Sequence, residues 1–182
     1  MVIFLKLKNQ FGKIVKNGGK QMNYDVLDVS RYIISYSNKM DYGISNLKLQ
    51  KVLYFCQAYF LIQTGHPCFN EKIEAWDFGP VVPVAYKEFK KFAGMDIPTM
   101  YSHIVFNGNE FFSGIERVDF KEICISNDDR TLIDKVVDKF SEYSSTDMVK
   151  LTQHQTPWID AINSYQSNEI TNKSIFEYFK SF

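Results

Sequence analysis

Long apolar runs and paired cysteines are scarce in this sequence, and each scarcity excludes a class of structure. No apolar run approaches the roughly 20 residues that a membrane-spanning helix needs, so a transmembrane helix is excluded. The three cysteines, Cys56, Cys68 and Cys124, are odd in number and widely spaced. They fit neither a disulfide framework nor a zinc site, and they predict a reducing, cytoplasmic location.

Motifs of the common enzyme classes are equally scarce. The sequence contains no glycine-rich nucleotide loop, zinc-protease motif, serine-hydrolase elbow or calcium loop. Its three histidines, His66, His103 and His154, lie in separate segments with no cysteine or carboxylate at ligand spacing. The residues alone therefore predict no catalytic group, no metal and no cofactor.

Acidic residues are missing from residues 1–21, which carry five lysines. The whole chain has 21 basic and 21 acidic residues, so residues 22–182 keep 16 basic residues and a net charge of −5. An acidic body disfavours nucleic acid as the main ligand, because phosphate binding needs a basic face. It is compatible with a basic protein partner.

Residues 1–21 form a basic leader ahead of Met22. Gly18 and Gly19 can be encoded as GGAGGA, a purine-rich ribosome-binding sequence at a suitable distance from a start codon. We therefore expect translation to begin at Met22 and the domain to span residues 22–182. A basic arm that touches nucleic acid or membrane is the alternative.

The strongest element of the sequence is a long apolar helix. The composition is globular, with 45% hydrophobic and 16% aromatic residues, which suffices for a real core. Ser45 is a good N-cap and Gly65 a good stop signal, so a helix is predicted over about 45–64. It is apolar nearly all round, which is typical of a buried central helix. Gln50 and Lys51 lie on its less apolar side and are expected to be solvated, with a polar groove contact as the alternative.

Shorter elements are predicted around this helix. Further helices are expected to begin near Asp25, Pro83, Ser126, Ser145 and Pro157, and a last one carries an apolar stripe over 175–182. Residues 73–76 look extended, and Gly79-Pro80 is a turn signal. Short strands are expected at 103–106 and 121–125, with a hairpin turn at 107–108. The predicted fold is mainly α, a single compact domain with a short β section in the middle.

Three stretches carry a resemblance to a known family. They are residues 47–57 (LKLQKVLYFCQ), 73–86 (IEAWDFGPVVPVAY) and 151–158 (LTQHQTPW), followed by an Ile-x-x-x-x-Ile-Phe-x-Tyr-Phe pattern. In this order and separation they resemble the Panacea domain family, which includes SocA-like antitoxins and phage-associated GepA proteins. The resemblance covers about residues 24–179.

The resemblance implies an antitoxin rather than an enzyme. Members belong to toxin–antitoxin operons, often on prophages, and neutralise a toxin from the adjacent gene by direct protein–protein binding. SocA-like members also act as adaptors that deliver the toxin to a AAA+ protease. The expected partners are therefore a cognate toxin and such a protease, with no membrane.

The expected partner-binding residues come mainly from the second stretch. They are Trp76, Asp77, Phe78, Gly79, Pro80, Tyr86 and, from the third stretch, Trp158. Gly79-Pro80 is expected to form a rigid loop that presents Asp77 and Phe78, and the contact to be apolar and aromatic at its centre. Trp76 and Trp158 are explained at least as well as core anchors.

The third stretch departs from the family pattern Thr-His-x-Glu-x-Pro-Trp. Its His and Glu positions hold Gln153 and Gln155, and His154 is displaced by one. A site that needs a titratable pair cannot survive this change, whereas a hydrogen-bonding corner can. The motif is therefore predicted to be structural or binding rather than catalytic.

Two other functions stay open on the sequence. A prophage-encoded hydrolase would use His154, Asp160 and Trp158, although no nucleophile and base lie at a supporting spacing. A DNA-binding regulator is opposed by the acidic body and by the lack of a helix-turn-helix signal.

Overall fold

The computed structural model of the protein describes residues 23–100, 102–110, 113–119 and 125–181, with the backbone alone for 102–119. The predicted leader and start at Met22 lie outside these residues, as do Cys124 and nearly all of the strand predicted at 121–125. The side chain of His103 is outside them too.

Seven α-helices lie in the described part of the chain, and they confirm the mainly α prediction. They are α1 (Val26–Lys39), α2 (Asn46–Thr64), α3 (Pro83–Phe89), α4 (Asn127–Lys139), α5 (Ser145–Gln153), α6 (Thr156–Ile162) and α7 (Asn172–Phe179). A 3-10 turn at Lys90–Phe92 continues α3. None of the described helices has the length and apolarity to cross a bilayer.

Helix α2 is the centre of the fold, as its all-round apolarity predicts. Fifteen of its nineteen residues are buried, and helices α1, α3, α4, α5 and α7 pack around it. Phe55 on α2 stacks on Phe140 at the end of α4, with ring centroids 4.4 Å apart. The predicted termini are confirmed, because Ser45 Oγ accepts from Lys48 N and Gly65 ends the helix in the left-handed region.

The caps of the outer helices also follow the sequence. Asp25 Oδ1 accepts from Leu27 N at 2.7 Å, and Ser126 Oγ accepts from Asp129 N at 3.2 Å. Helix α5 begins at Ser145 as predicted, but its cap is Ser144, which forms a capping box with Asp147.

A small antiparallel sheet packs beside α2. Its order is β2 (Gly79–Val81), β1 (Ile73–Trp76), β5 (Glu169–Ile170). Trp76 pairs with Gly79, so Asp77 and Phe78 form the turn. The turn predicted at Gly79-Pro80 is therefore two residues too late, since both residues belong to β2.

A separate hairpin joins β3 (Ser102–Glu110) to β4 (Ser113–Asp119). The strand predicted at 103–106 is confirmed, but the turn predicted at 107–108 is wrong. These two residues lie inside β3, where the register shifts between Phe106 and Glu110, and the chain reverses after Glu110. An Asn-Gly pair serves a β-bulge as readily as a turn, because both use the freedom of glycine.

Candidate partner-binding site

The three sequence stretches meet at the hairpin formed by β1 and β2. Helix α2 carries the first stretch and packs under the hairpin, while the corner between α5 and α6 carries the third stretch and packs beside it. Side chains from both neighbours bind the hairpin backbone. The hairpin, the second stretch, is therefore held from two sides.

Lys51 on α2 holds the hairpin from below. Its side chain is fully buried, and its Nζ donates to the Pro80 carbonyl oxygen at 2.8 Å. Burial lowers the pKa of Lys51 to about 7, because a charged amine loses hydration there. The expectation that Lys51 is solvated is wrong, since the hairpin covers this side of the helix.

Gln50 makes the second contact from α2, and the expectation that it is solvated is wrong for the same reason. Its Oε1 accepts from Val82 N at 2.9 Å. Its Nε2 donates to Asn46 Oδ1 at 2.9 Å, and Asn46 Nδ2 donates to the Tyr86 carbonyl oxygen at 3.1 Å. A buried amide is tolerated when its donors and acceptor find partners, as they do here.

The corner between α5 and α6 binds the hairpin from the side. Gln153 Nε2 donates to the Asp77 carbonyl oxygen at 2.7 Å. Trp158 Nε1 donates to the Trp76 carbonyl oxygen at 3.0 Å. Gln155 is buried and its Oε1 accepts from Tyr54 OH at 2.7 Å. Both glutamines thus act as hydrogen-bonding groups, which agrees with a structural corner.

Two of the three residues of the hydrolase alternative face solvent, and the third, Trp158, is half-buried with its indole bound to the Trp76 carbonyl oxygen. His154 and Asp160 are exposed, and His154 Nδ1 lies 2.6 Å from the Lys150 carbonyl oxygen of its own helix. Cys56 and Cys68 are buried, and burial raises the pKa of both thiols. A buried thiol with a raised pKa is a poor nucleophile. Within the described ranges, no group of histidine, cysteine and carboxylate side chains is arranged to hold a metal ion.

Gly79 lets the hairpin fit this tightly. Its φ is +93°, a region that side-chain-bearing residues rarely adopt. A Cβ on Gly79 would lie 2.6 Å from Thr152 Oγ1 and 3.0 Å from Lys51 Cε. A side chain at this position therefore has neither the backbone geometry nor the space.

The fixed hairpin projects an aromatic side chain into solvent. Phe78, at the tip of the two-residue turn, is 67% exposed. The four hydrogen bonds from Gln50, Lys51, Gln153 and Trp158 immobilise the backbone on both sides of it. A large apolar group on a rigid turn loses little conformational entropy on binding.

A groove of about 710 Å³ lies between the hairpin and α3 with its 3-10 turn. Two of its lining residues, Trp76 and Tyr86, contact each other edge to face, with ring centroids 5.1 Å apart. The lining residues are Asn46, Leu47, Gln50, Ala75, Trp76, Asp77, Phe78, Val81, Tyr86, Lys90, Ala93 and Gly94. The groove is therefore walled by aromatic rings and floored by α2.

Four of the predicted partner-binding residues line this groove: Trp76, Asp77, Phe78 and Tyr86. The other three, Gly79, Pro80 and Trp158, do not line the groove. Gly79 and Pro80 are buried in β2, and the half-buried Trp158 anchors the Trp76 backbone. In this structure Gly79 and Pro80 support the groove wall without presenting a surface, while Trp158 holds the Trp76 backbone and keeps part of its own ring accessible.

The sequence reasoning left a groove contact by Gln50 as an alternative, but it missed Asn46 on the floor and the far wall of the groove. Asn46 and Gln50 form part of the floor, and Lys90 stands on the far wall. A polar residue on an otherwise apolar helix was a usable signal for Asn46 and Gln50, because a polar group there needs a buried partner. Nothing in the local sequence distinguishes Lys90 from any solvated lysine.

Comparison with known proteins gives one family. The family model described as "Antitoxin SocA-like, Panacea domain" matches residues 49–159, which include the hairpin and most of the residues that hold it. Antitoxin SocA of Caulobacter vibrioides (strain NA1000 / CB15N) is 45% identical over 65 residues. That match covers 36% of this chain and 35% of the relative, so the chain aligns with about a third of the relative's length. No solved structure shows a significant match.

Proposed function

Because the chain belongs to the antitoxin SocA-like, Panacea domain family, we propose that it neutralises a cognate toxin by binding it directly through the groove beside the β1–β2 hairpin. The role is non-enzymatic. The toxin covers Phe78, Trp76 and Tyr86, and the bound antitoxin masks the toxin's active surface.

The observation that carries this proposal is the exposed Phe78 on an immobilised turn beside an aromatic groove. Interface energy is concentrated in a few aromatic residues that enter or line well-packed pockets. Single exposed apolar residues are ordinary on protein surfaces. Phe78 and Tyr86, however, are both exposed and line the same groove, and this clustering favours a partner surface.

The proposal extends to the partners. The toxin is the product of the adjacent gene, and the complex forms in the cytoplasm. As in SocA-like members of the family, the protein also delivers its toxin to a AAA+ protease. These points rest on the family and on the resemblance described above.

Co-expression tests the proposal. The adjacent reading frame is induced in a bacterial host with the full chain, with Phe78→Ala, or with Tyr165→Ala, and growth and co-purification are scored. Tyr165 is the matched control, because it is a fully exposed aromatic residue that does not line the groove. We expect the wild type and Tyr165→Ala to rescue growth in a co-purifying complex and Phe78→Ala to lose both.

Three results would count against parts of the proposal. Rescue by Phe78→Ala at wild-type level removes the groove from the interface. Rescue without co-purification replaces direct binding by an indirect effect, and loss of rescue in a His154→Ala, Asp160→Ala variant supports the hydrolase. The adaptor step fails if the toxin's half-life is the same with and without the host AAA+ protease.

A further inference from the structure

The amine of Lys51 lies under the β1–β2 hairpin with a single acceptor. Its side chain is fully buried, and its Nζ donates to the Pro80 carbonyl oxygen at 2.8 Å. Among the described residues, no other group accepts a hydrogen bond from this amine and no carboxylate pairs with it. An ammonium group has three N–H donors, whereas a neutral amine has two and a lone pair. The site therefore suits the neutral amine better, because a buried charge needs partners for its donors.

The side chains around Lys51 add no acceptor. Gln50 Oε1 already accepts from Val82 N at 2.9 Å. On the neighbouring turn of α2, Tyr54 OH donates to Gln155 Oε1 at 2.7 Å. Gln155 Nε2 is itself buried without an acceptor within the described ranges. This part of the core is therefore short of acceptors, which disfavours the ammonium form further.

Ionisable side chains on the elements that pack against Lys51 do not act as its counter-ion. None of them forms an ion pair or a hydrogen bond with its amine in the described part of the chain. They are Lys48 and Tyr54 on α2, Glu74 and Asp77 on the hairpin, Asp147, Lys150 and His154 on α5 and its cap, and Asp160 on α6. Burial alone accordingly lowers the pKa of Lys51 to about 7.

The hairpin is the cover that keeps this amine from water. A Cβ on Gly79 would lie 3.0 Å from Lys51 Cε and 3.2 Å from its Nζ, so the backbone of β2 packs closely on the end of the side chain. Two of the four hydrogen bonds that hold the hairpin come from Gln153 and Trp158, which are only half-buried. Lifting the hairpin breaks these four bonds and hydrates the amine, while α2 keeps its own helical hydrogen bonds.

We propose that Lys51 makes the hairpin a proton-sensitive latch, closed over the neutral amine and opened when the amine takes up a proton from solvent. In the closed form the amine donates to Pro80, and in the open form the ammonium is hydrated. Because Trp76, Asp77 and Phe78 on the hairpin line the groove, the latch sets how often the groove is intact. The latch is a property of the fold, so it does not depend on the proposed function.

The pH range of the latch follows from the two forms of Lys51. Its pKa is about 7 in the closed form and returns toward 10.5 when the amine is hydrated. Between these values the open form binds more protons, so each unit decrease in pH favours opening by up to about tenfold. Below pH 7 both forms are protonated and the effect levels off. From pH 9 to pH 7 the equilibrium constant for opening should rise about 50-fold.

Native-state hydrogen exchange of the full chain measures this opening without a toxin. The amide of Val82 reports it, because its N–H is bonded to Gln50 Oε1 across the contact between the hairpin and α2. The protection factor of Val82, which is corrected for the intrinsic exchange rate, should fall about 50-fold from pH 9 to pH 7. The amide of Leu53, at the centre of α2, reports global unfolding and should stay more protected.

Three variants assign the effect to Lys51. Lys51→Met has no proton to take up, so the protection factor of Val82 should change by less than about twofold over the same range. Lys150→Met replaces an exposed lysine on α5, and His154→Gln replaces the exposed imidazole of its cap. Both should keep the wild-type dependence. NMR of lysine labelled at the ε carbon adds a measurement on the wild type, in which Lys51 should titrate near pH 7 and exposed lysines above about 10.

Four results would overturn the latch. The first is a protection factor of Val82 in the wild type that is the same at pH 7 and pH 9, and the second is an unchanged pH dependence in Lys51→Met. Equal protection of Val82 and Leu53 means that the hairpin opens only when the whole domain unfolds. Titration of Lys51 together with the exposed lysines means that the buried amine is not neutral in the closed form.

Discussion

Replacing Gly79 with alanine is expected to destabilise the protein more than the same change at Gly65. Both glycines have a positive φ, +93° and +76°, so alanine is strained at either position. The two sites differ in space. A Cβ on Gly65 would meet no atom within 4 Å, whereas a Cβ on Gly79 would lie 2.6 Å from Thr152 Oγ1.

The size of the difference follows from this contact. Backbone strain costs about 1 to 2 kcal/mol at either position. Crowding in a packed site adds about 1 to 3 kcal/mol. Thr152 cannot move aside cheaply, because it is buried and its hydroxyl binds the carbonyl oxygens of Met148 and Val149 at 3.0 Å. The Gly79→Ala change should therefore lower the free energy of unfolding by about 2 to 5 kcal/mol, and Gly65→Ala should lower it by about 1 to 2 kcal/mol.

Urea denaturation of the full chain measures both losses. Tryptophan fluorescence reports on the region of Gly79, because Trp76 pairs with Gly79 and Trp158 Nε1 donates to the Trp76 carbonyl oxygen on β1. A Thr152→Ala change in the Gly79→Ala background removes the closest of these contacts, so the difference in stability between Gly79→Ala and Gly65→Ala should become smaller. The reasoning is refuted if Gly79→Ala costs no more than Gly65→Ala, or if Thr152→Ala makes the loss at Gly79 larger.

Three further predictions concern polar groups that are buried or half-buried. Burial lowers the pKa of Lys51 to about 7 from 10.5, so the unfolded chain binds more protons between these values and stability should rise with pH across that window. Between pH 7.5 and 9.5 the free energy of unfolding of the wild type should rise by roughly 2 kcal/mol more than that of Lys51→Met. Urea unfolding measures both, and the same pH dependence in the two proteins would contradict this prediction. Tyr54→Phe leaves the buried Gln155 Oε1 without its donor and should cost about 1 to 2 kcal/mol, which a thermal melt checks against an unchanged Tyr165→Phe. Burial, and then the hydrogen bond to Asp138, raise the pKa of Tyr36 to about 12. Asp138→Asn should bring that pKa nearer to 10, and an NMR titration of ring-labelled tyrosine that shows no decrease would count against the contact.

The elements that the sequence predicted correctly are those fixed by local rules. Ser45 and Gly65 bound the central helix because a cap and a left-handed stop act within a few residues. The all-round apolar surface of that helix predicts burial without reference to any neighbour. The aromatic residues of the groove could be named from the sequence for a related reason, because Trp76, Phe78 and Tyr86 lie in one short stretch.

The elements that the sequence predicted wrongly depend on contacts between distant segments. A lysine usually reaches solvent, and only the Pro80 carbonyl oxygen, 29 residues away, accounts for the burial of Lys51. Strand β5 has only two residues, and its pairing with β1 joins Ile73 to Ile170. Neither fact has a local signal, because each arises when the tertiary structure brings the partner into place.

The equilibrium affinity for the toxin tests the central claim most directly. The purified product of the adjacent gene is titrated calorimetrically with the wild type, Phe78→Ala and Tyr165→Ala. If the groove is the toxin-binding surface, Phe78→Ala should raise Kd by about 30-fold or more, as expected for an interface hot spot, while Tyr165→Ala stays within about twofold. Equal Kd values for Phe78→Ala and the wild type would contradict the claim.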